Sequence, residues 1–313
     1  MASKRPSRHA PLLIHPGYHK TGTTWYQRKL FLPEFGYRQL LDHDEVFAAL
    51  IRPHGLTFEA APARELIDSR RSPADSGMID VISSEILSGT PYYGARESDM
   101  YARRLKEVAP EARILITIRE QMRMLAAIYM QYISRALTIK PAEFFANDPI
   151  AGYFAFAPEH FEYHRLVKLY QDLYGAENVL VVTQEALAKD GLSVARQIAE
   201  FAGVSLPWDP AKISLEPESP SPPESFAPLL RRINHFRSGP TGLGPMIDLG
   251  PVSAFAYRAT AALGRTKPVK NALRNVRPVS REVLRRYRGY YRDSNRKLLE
   301  LMGGRLELPG YEV

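Results

Sequence analysis

The sequence predicts an α/β fold, a parallel sheet flanked by helices within one domain. Short apolar runs bounded by polar, Gly or Pro positions recur along the chain, as buried parallel strands do. They alternate with stretches whose apolar residues repeat at helical spacing, the pattern of successive βαβ units. The composition agrees: 313 residues, 45% hydrophobic and 24% charged, suit a globular protein large enough to bury a substantial core.

The strands expected in order are Leu12–His15, Gly77–Ser83, Arg113–Ile118 and Asn178–Thr183. Helical spacing marks Thr23–Leu32, Ser98–Val108, Gln121–Ser134 and Glu159–Tyr174. It continues through Gly191–Ala202, where Leu192, Ala195, Ile198 and Phe201 fall on one face. The stretch 36–76 gives no clear pattern. Seven prolines in "PWDPAKISLEPESPSPPESFAP" predict that 205–228 is an extended surface excursion, and 237–251 is a second loop-rich zone. A closing helix is expected over Ser280–Met302, capped by Ser280 and ended by Gly303-Gly304. With no internal repeat, and with the informative motifs near both ends, the reading is a single domain over 10–305 with insertions. Residues 1–9 are expected to be a flexible N-terminus.

Composition narrows the function. There is no cysteine, so disulfides and thiolate metal sites are excluded. The basic start "MASKRPSRHAPLLI" lacks the apolar stretch of a signal peptide. No run reaches the roughly 18 apolar residues of a membrane span, and the longest, near 246–264, is interrupted by Asp248, Pro251 and Arg258. The expectation is a soluble, cytoplasmic protein without a membrane span. The formal charge is +8, and residues 281–305 hold eight Arg or Lys against three Asp or Glu. Such a run is either a solvated helix face or a surface for an anionic partner.

The most specific stretch is "HPGYHKTGTT", His15 to Thr24, between an apolar run and a helical pattern. A strand, a glycine-containing turn and a helix start converge free N–H groups and the positive helix end on one point, which favours an anion. Gly17 and Gly22 have the G-x-x-x-x-G spacing of a P-loop, but Thr23 and Thr24 follow where Lys and Ser/Thr would stand. The lysine, Lys20, lies inside the loop. Gly22, Thr23 and Thr24 can cradle a phosphate, while Lys20 reaches toward whatever that phosphate carries.

These residues resemble the 5′-phosphosulfate loop, Lys-x-Gly-Thr-Thr after a strand, of sulfotransferases that use 3′-phosphoadenylyl sulfate (PAPS). The family's P-loop-like α/β sheet agrees with the pattern of elements. The resemblance implies that Lys20 contacts the bridging oxygen and the transferred sulfuryl group. It implies that Thr21, Gly22, Thr23 and Thr24 belong to the 5′-phosphate loop, and that Trp25 approaches the adenine; an ordinary core position is the other reading of Trp25. A second motif, "ARILITIREQMRMLAAIYMQY", resembles the 3′-phosphate segment, with Arg119 as its arginine. The serine expected eight residues on is Ala127 here, and Arg123, one helical turn beyond Arg119, is the candidate to supply charge instead. Weaker likeness to bacterial members runs through 178–204 and 281–303.

Sulfuryl transfer to a hydroxyl needs a base at the carboxyl end of a neighbouring strand. "MIDVISSEIL" offers Glu85 there, with a helix-start carboxylate as the alternative reading. His15 reads as structural and His19 as pointing away from Lys20. His160 and His164 have metal-pair spacing on one expected helix but lack a third ligand. The expected enzyme therefore takes PAPS as co-substrate, needs no metal and binds no nucleic acid. Its acceptor is a small molecule or glycan, with Tyr92, Tyr93, Tyr153, Phe154 and Phe156 as possible pocket walls. A P-loop kinase-like phosphotransferase and a basic polyanion-binding protein are the alternatives; the missing Gly-Lys-Ser/Thr and the lack of an obvious magnesium-holding Asp at a strand end count against the kinase, though Asp80 falls within a strand.

Overall fold

The computed structural model describes residues 8–146, 156–204, 212–216, 222–239, 245 and 247–313. Strands β1 (Leu12–His15), β2 (Tyr37–Leu41), β3 (Ile79–Ser83), β4 (Arg113–Ile118) and β5 (Val179–Thr183) form one parallel sheet in the order β2-β3-β1-β4-β5. The glycine-containing loop leaves the central strand directly into a helix, so the expected P-loop-like class of parallel sheet is the one observed. The chain leaves β1 toward one side of the sheet and later returns to the other, so the crevice beside its carboxyl end is a natural ligand position.

Alternation along the strands explains why each reads as nearly all apolar. Leu12 and Ile14 of β1 join the larger core with Ile114, Ile116 and Ile118 of β4. Leu13 and Leu115 point the other way, into a smaller core with Trp25, Tyr26, Phe31, Val194 and Ile198. Both faces are covered, as a parallel sheet requires. Helix Gln121–Ser134 is started by Glu120, whose carboxylate accepts from the N–H groups of Met122 and Arg123 at 2.8 and 2.9 Å. Helix Gly191–Ala202 is started by Asp190 and stopped at Gly203, φ 80°.

Several expectations need correction. β2 was not foreseen: its middle residues Arg38 and Gln39 are exposed at the sheet edge, which removes the apolar signature. Thr23–Leu32 is a short α-turn, Thr23–Trp25, continued by a π-helix, Tyr26–Leu30. Glu159–Tyr174 divides into a 3₁₀ turn, Pro158–Phe161, and a helix, His164–Tyr174, so His160 and His164 do not share one α-helical face. The closing helix is two, Pro278–Tyr287 and Arg292–Met302, separated at Gly289, φ 77°. Ser280 is not its cap; its N–H and hydroxyl both donate to Glu224, at 2.7 and 2.6 Å. Tyr153, Phe154, residues 1–7 and parts of 205–228 and 237–251 lie outside the described residues.

At the amino edge of the sheet, Asp80 is fully buried. It accepts from Arg71 Nε (2.9 Å), the Ser72 N–H (2.9 Å) and the Ser72 hydroxyl (2.8 Å). Asp80 pairs with Leu12, the first residue of β1, so it stands at the opposite end of the strands from the loop.

Candidate active site

The loop after β1 is fastened from beneath by a directed chain of hydrogen bonds. The Thr21 hydroxyl donates to the Tyr18 carbonyl at 2.6 Å, so toward Thr117 Oγ1, 2.7 Å away, it must accept. Thr117 then spends its one proton on Thr21 and accepts from His15 Nε2 at 3.0 Å. His15 Nδ1 is left to accept from Ser83 Oγ at 2.8 Å, and Ser83 also receives Gln27 Nε2, through its carbonyl at 2.8 Å. Each single-proton donor is committed, so His15 is neutral and unavailable as a base. Its burial lowers its pKa to about 3. Gly17 is required beside this chain: a Cβ there would lie 2.4 Å from Thr117 Oγ1 and 2.5 Å from His15 Nε2.

Above the chain, the backbone turns back at Lys20, φ 63°, and again at Gly22, φ 96°. A non-glycine residue in the left-handed region costs about 1–2 kcal/mol, and such strain persists where surrounding structure enforces it, often at functional loops. Here the enforcement is visible: Tyr18 N–H is held by the Thr117 carbonyl at 3.0 Å and Thr21 by its hydroxyl bonds.

Arg119, 99 residues further along, meets this loop at the end of β4. Its Nη1 donates to the Lys20 carbonyl at 3.3 Å, and its own carbonyl accepts from Tyr163 at 2.7 Å. Its Nε is buried without a hydrogen-bond partner. The carboxylate of the adjacent Glu120 is engaged by the N–H groups of Met122 and Arg123 at the start of the next helix. Burial lowers the pKa of Arg119, with Glu185 opposing. Burial also lowers that of Lys20; Arg119 adds to this and Glu85 opposes it. Two half-buried cations thus lie beside one another, an arrangement that an anion would stabilise. Thr23 Oγ1 is a second buried group without a partner on the same loop.

Glu85 begins a 3₁₀ turn, Glu85–Ser88, just beyond β3. It is half-buried and lines a cleft of about 360 Å³ with Thr24, Gln27, Gln39, Asp42, His43 and Ser83. Glu85 and Thr24 therefore face one space, and Lys20 lies within the field of Glu85. His19 is 4% exposed, with neither ring nitrogen hydrogen-bonded. Burial lowers its pKa to about 4, against the pull of Glu85. Its ring lies 6.2 Å from that of Tyr92, whose hydroxyl is likewise buried and unpartnered. Arg135 stands over Tyr92 at 5.0 Å.

The remaining candidates are placed less centrally. Trp25 is buried in the smaller core and its indole N–H donates to the Ser214 carbonyl at 2.8 Å. Arg123 is two-thirds exposed, its Nε 3.9 Å from Glu120. Ala127 is half-buried on the same helix. Thr21 turns its hydroxyl inward, leaving only its backbone to the loop surface. Tyr93 is exposed and Phe156 is packed among Phe144, Phe145 and Phe161. His164 Nδ1 lies 2.8 Å from Ser294 Oγ, and among the described residues no group of three metal-ligating side chains is assembled. Sequence reasoning missed Tyr163, which fixes the Arg119 backbone and carries no local signal.

No known family model matches the chain, and comparison with curated proteins gives no match. Among solved structures it is similar to a sulfotransferase from Alicyclobacillus acidocaldarius, at 22% identity over 66% of this chain and 87% of that one, TM-score 0.42. It is similar to the sulfotransferase domain of the Synechococcus PCC 7002 olefin synthase, at 15% identity over 84% and 98%, TM-score 0.39. A third is mouse sulfotransferase SULT7A1 complexed with PAP, at 14% identity over 86% and 90%, TM-score 0.38. All three are distant likenesses.

Proposed function

We propose that this chain is a sulfotransferase that moves a sulfuryl group from PAPS to an acceptor hydroxyl and releases adenosine 3′,5′-bisphosphate. The observation that carries the reading is the meeting of Arg119 and Lys20, two cations from distant motifs. The guanidinium keeps a buried, unsatisfied N–H, and the lysine is held in a strained backbone conformation.

In this reading Gly22, Thr23 and Thr24 hold the 5′-phosphate of the co-substrate. The buried Thr23 hydroxyl and Arg119 Nε, which have no hydrogen-bond partner among the described residues, fit phosphate oxygens. Arg119 holds the 3′-phosphate, and Arg123 contributes at longer range from its exposed position. Lys20 stabilises the negative charge that gathers on the leaving phosphate as the sulfur–oxygen bond to it breaks. Glu85 takes the acceptor proton as the new sulfur–oxygen bond forms. The acceptor is a small molecule or glycan hydroxyl admitted beside Glu85 and Tyr92.

The kinase-like alternative asks for a carboxylate on a metal at the carboxyl end of a strand. Asp80 is at the other end and is fully engaged with Arg71 and Ser72. The test is release of adenosine 3′,5′-bisphosphate from PAPS in the presence of pooled phenolic and glycan acceptors, by wild type and by Lys20→Ala. Release by wild type alone supports the proposal. Failure to bind PAPS, together with thermal stabilisation by ATP–Mg²⁺, overturns it.

A further inference from the structure

Helix Pro251–Arg265 is apolar on two opposite sides. Its inner side is already used: Ser253, Tyr257, Ala261 and Gly264 are buried. Arg237 lies 3.9 Å over the Tyr257 ring, and a Cβ on Gly264 would come within 2.9 Å of the Phe226 ring. The outer side carries Val252, Phe255 and Leu263, which are 68%, 73% and 55% exposed. At about 100° per residue these three, with Ala259, fall within an arc of about 80°, facing away from the core. Ile247 and Leu249, 61% and 48% exposed, extend the apolar surface just ahead of the helix. No helix among the described residues is long and apolar enough to cross a membrane.

Charge accompanies this surface. Between Asp248 and Glu282 the chain has no acidic residue, while seven Arg and Lys occur from Arg258 to Arg281. All seven are exposed. Arg258 and Arg265 lie along one side of the apolar arc, and Lys267, Lys270, Arg274 and Arg277 follow within the next turns. Exposed apolar groups alone would suit many partners. A stretch from Leu249 to Arg281 that carries seven cations and no acid selects a surface that is both anionic and able to receive apolar side chains, which describes the headgroup boundary of an acidic bilayer.

We infer that Pro251–Arg265 and the basic segment to Arg281 form a docking surface for anionic phospholipid membranes. The helix lies in the interface plane: Val252, Phe255 and Leu263 enter the headgroup boundary, and the cations contact lipid phosphates. The inference is independent of the sulfuryl-transfer proposal, since it uses none of the loop residues.

The test is sedimentation of the full chain with vesicles of phosphatidylcholine alone and of phosphatidylcholine containing about one quarter phosphatidylserine. Partitioning to the acidic vesicles should be at least about tenfold stronger, and should fall about tenfold as salt rises from about 0.05 to 0.5 M. The double variant Phe255→Asp/Leu263→Asp, at exposed positions, should lose the binding. Lys267→Gln/Lys270→Gln/Arg274→Gln should weaken it by about tenfold or more while leaving the apolar face intact, and serves if the first variant fails to fold. Absent or charge-independent binding by wild type overturns the inference, as does wild-type binding by both variants. Concentration-dependent self-association that Phe255→Asp/Leu263→Asp abolishes, without vesicle binding, also overturns it by assigning the face to a second copy of the chain.

Discussion

The two edges of the sheet bury charge in opposite ways. At the amino edge, the oxygens of Asp80 receive Arg71 and two donors from Ser72, and every group in the cluster is engaged. At the carboxyl edge, Arg119 and Lys20 are half-buried, and among the described residues Arg119 Nε and Thr23 Oγ1 have no hydrogen-bond partner. A completed polar network of the first kind fixes structure. An incomplete one costs stability, and an anion bound between Arg119 and Lys20 would recover that cost.

Substitutions at the two edges should therefore separate activity from stability. The largest effect is expected at Lys20: Lys20→Ala should abolish turnover while the melting temperature stays near that of wild type. A parallel loss of folding would place Lys20 with the structural cluster instead. Glu85→Gln should cost about 10²–10⁴ in rate with binding of adenosine 3′,5′-bisphosphate retained; near-normal turnover would transfer the base role to His19. Asp80→Ala should leave Arg71 without its carboxylate, holding only the Ala10 carbonyl among the described residues, and cost about 3–5 kcal/mol in denaturant unfolding. A loss under 1 kcal/mol would show the amino edge to be no more structural than the loop.

The buried imidazoles supply a smaller, pH-dependent effect. Burial lowers His15 and His160 to about 3 and His19 to about 4, so each is neutral in the folded chain. The unfolded chain protonates them below their ordinary 6.5, binding more protons than the folded one, and stability should fall as pH drops from 6.5 through 4. Thermal unfolding across that range checks this, and His15→Asn should flatten the slope. Smallest of all, Lys20→Gly should remove the left-handed strain and add about 1 kcal/mol of stability to a variant without turnover.

What could be read from the sequence follows the same division. Four of the five strands were legible because strands buried on both faces are nearly all apolar, and β2 was not because edge exposure mixes Arg38 and Gln39 into it. The loop was legible because Gly17, Lys20, Gly22 and the threonines are local to one stretch. The constraint that makes Gly17 necessary was not, because it depends on His15 and Thr117 from two neighbouring strands. That Asp80 falls within a strand was legible, but not that it stands at the end away from the loop, which depends on its pairing with Leu12. His19 reads as turned away from Lys20, and its burial beside Tyr92 was not legible because it depends on a distant segment. Long-range polar partners, Tyr163 above all, leave no periodic trace.

If the carboxyl edge is an unsatisfied anion site, thermal unfolding with adenosine 3′,5′-bisphosphate will distinguish wild type from Arg119→Gln. Wild type should gain about 2.7 kcal/mol at 100 times Kd, and more than it gains from ATP–Mg²⁺. Arg119→Gln should lose most of that gain while its unliganded stability is equal or higher. Equal stabilisation of both proteins, or a variant much less stable without ligand, would contradict the account.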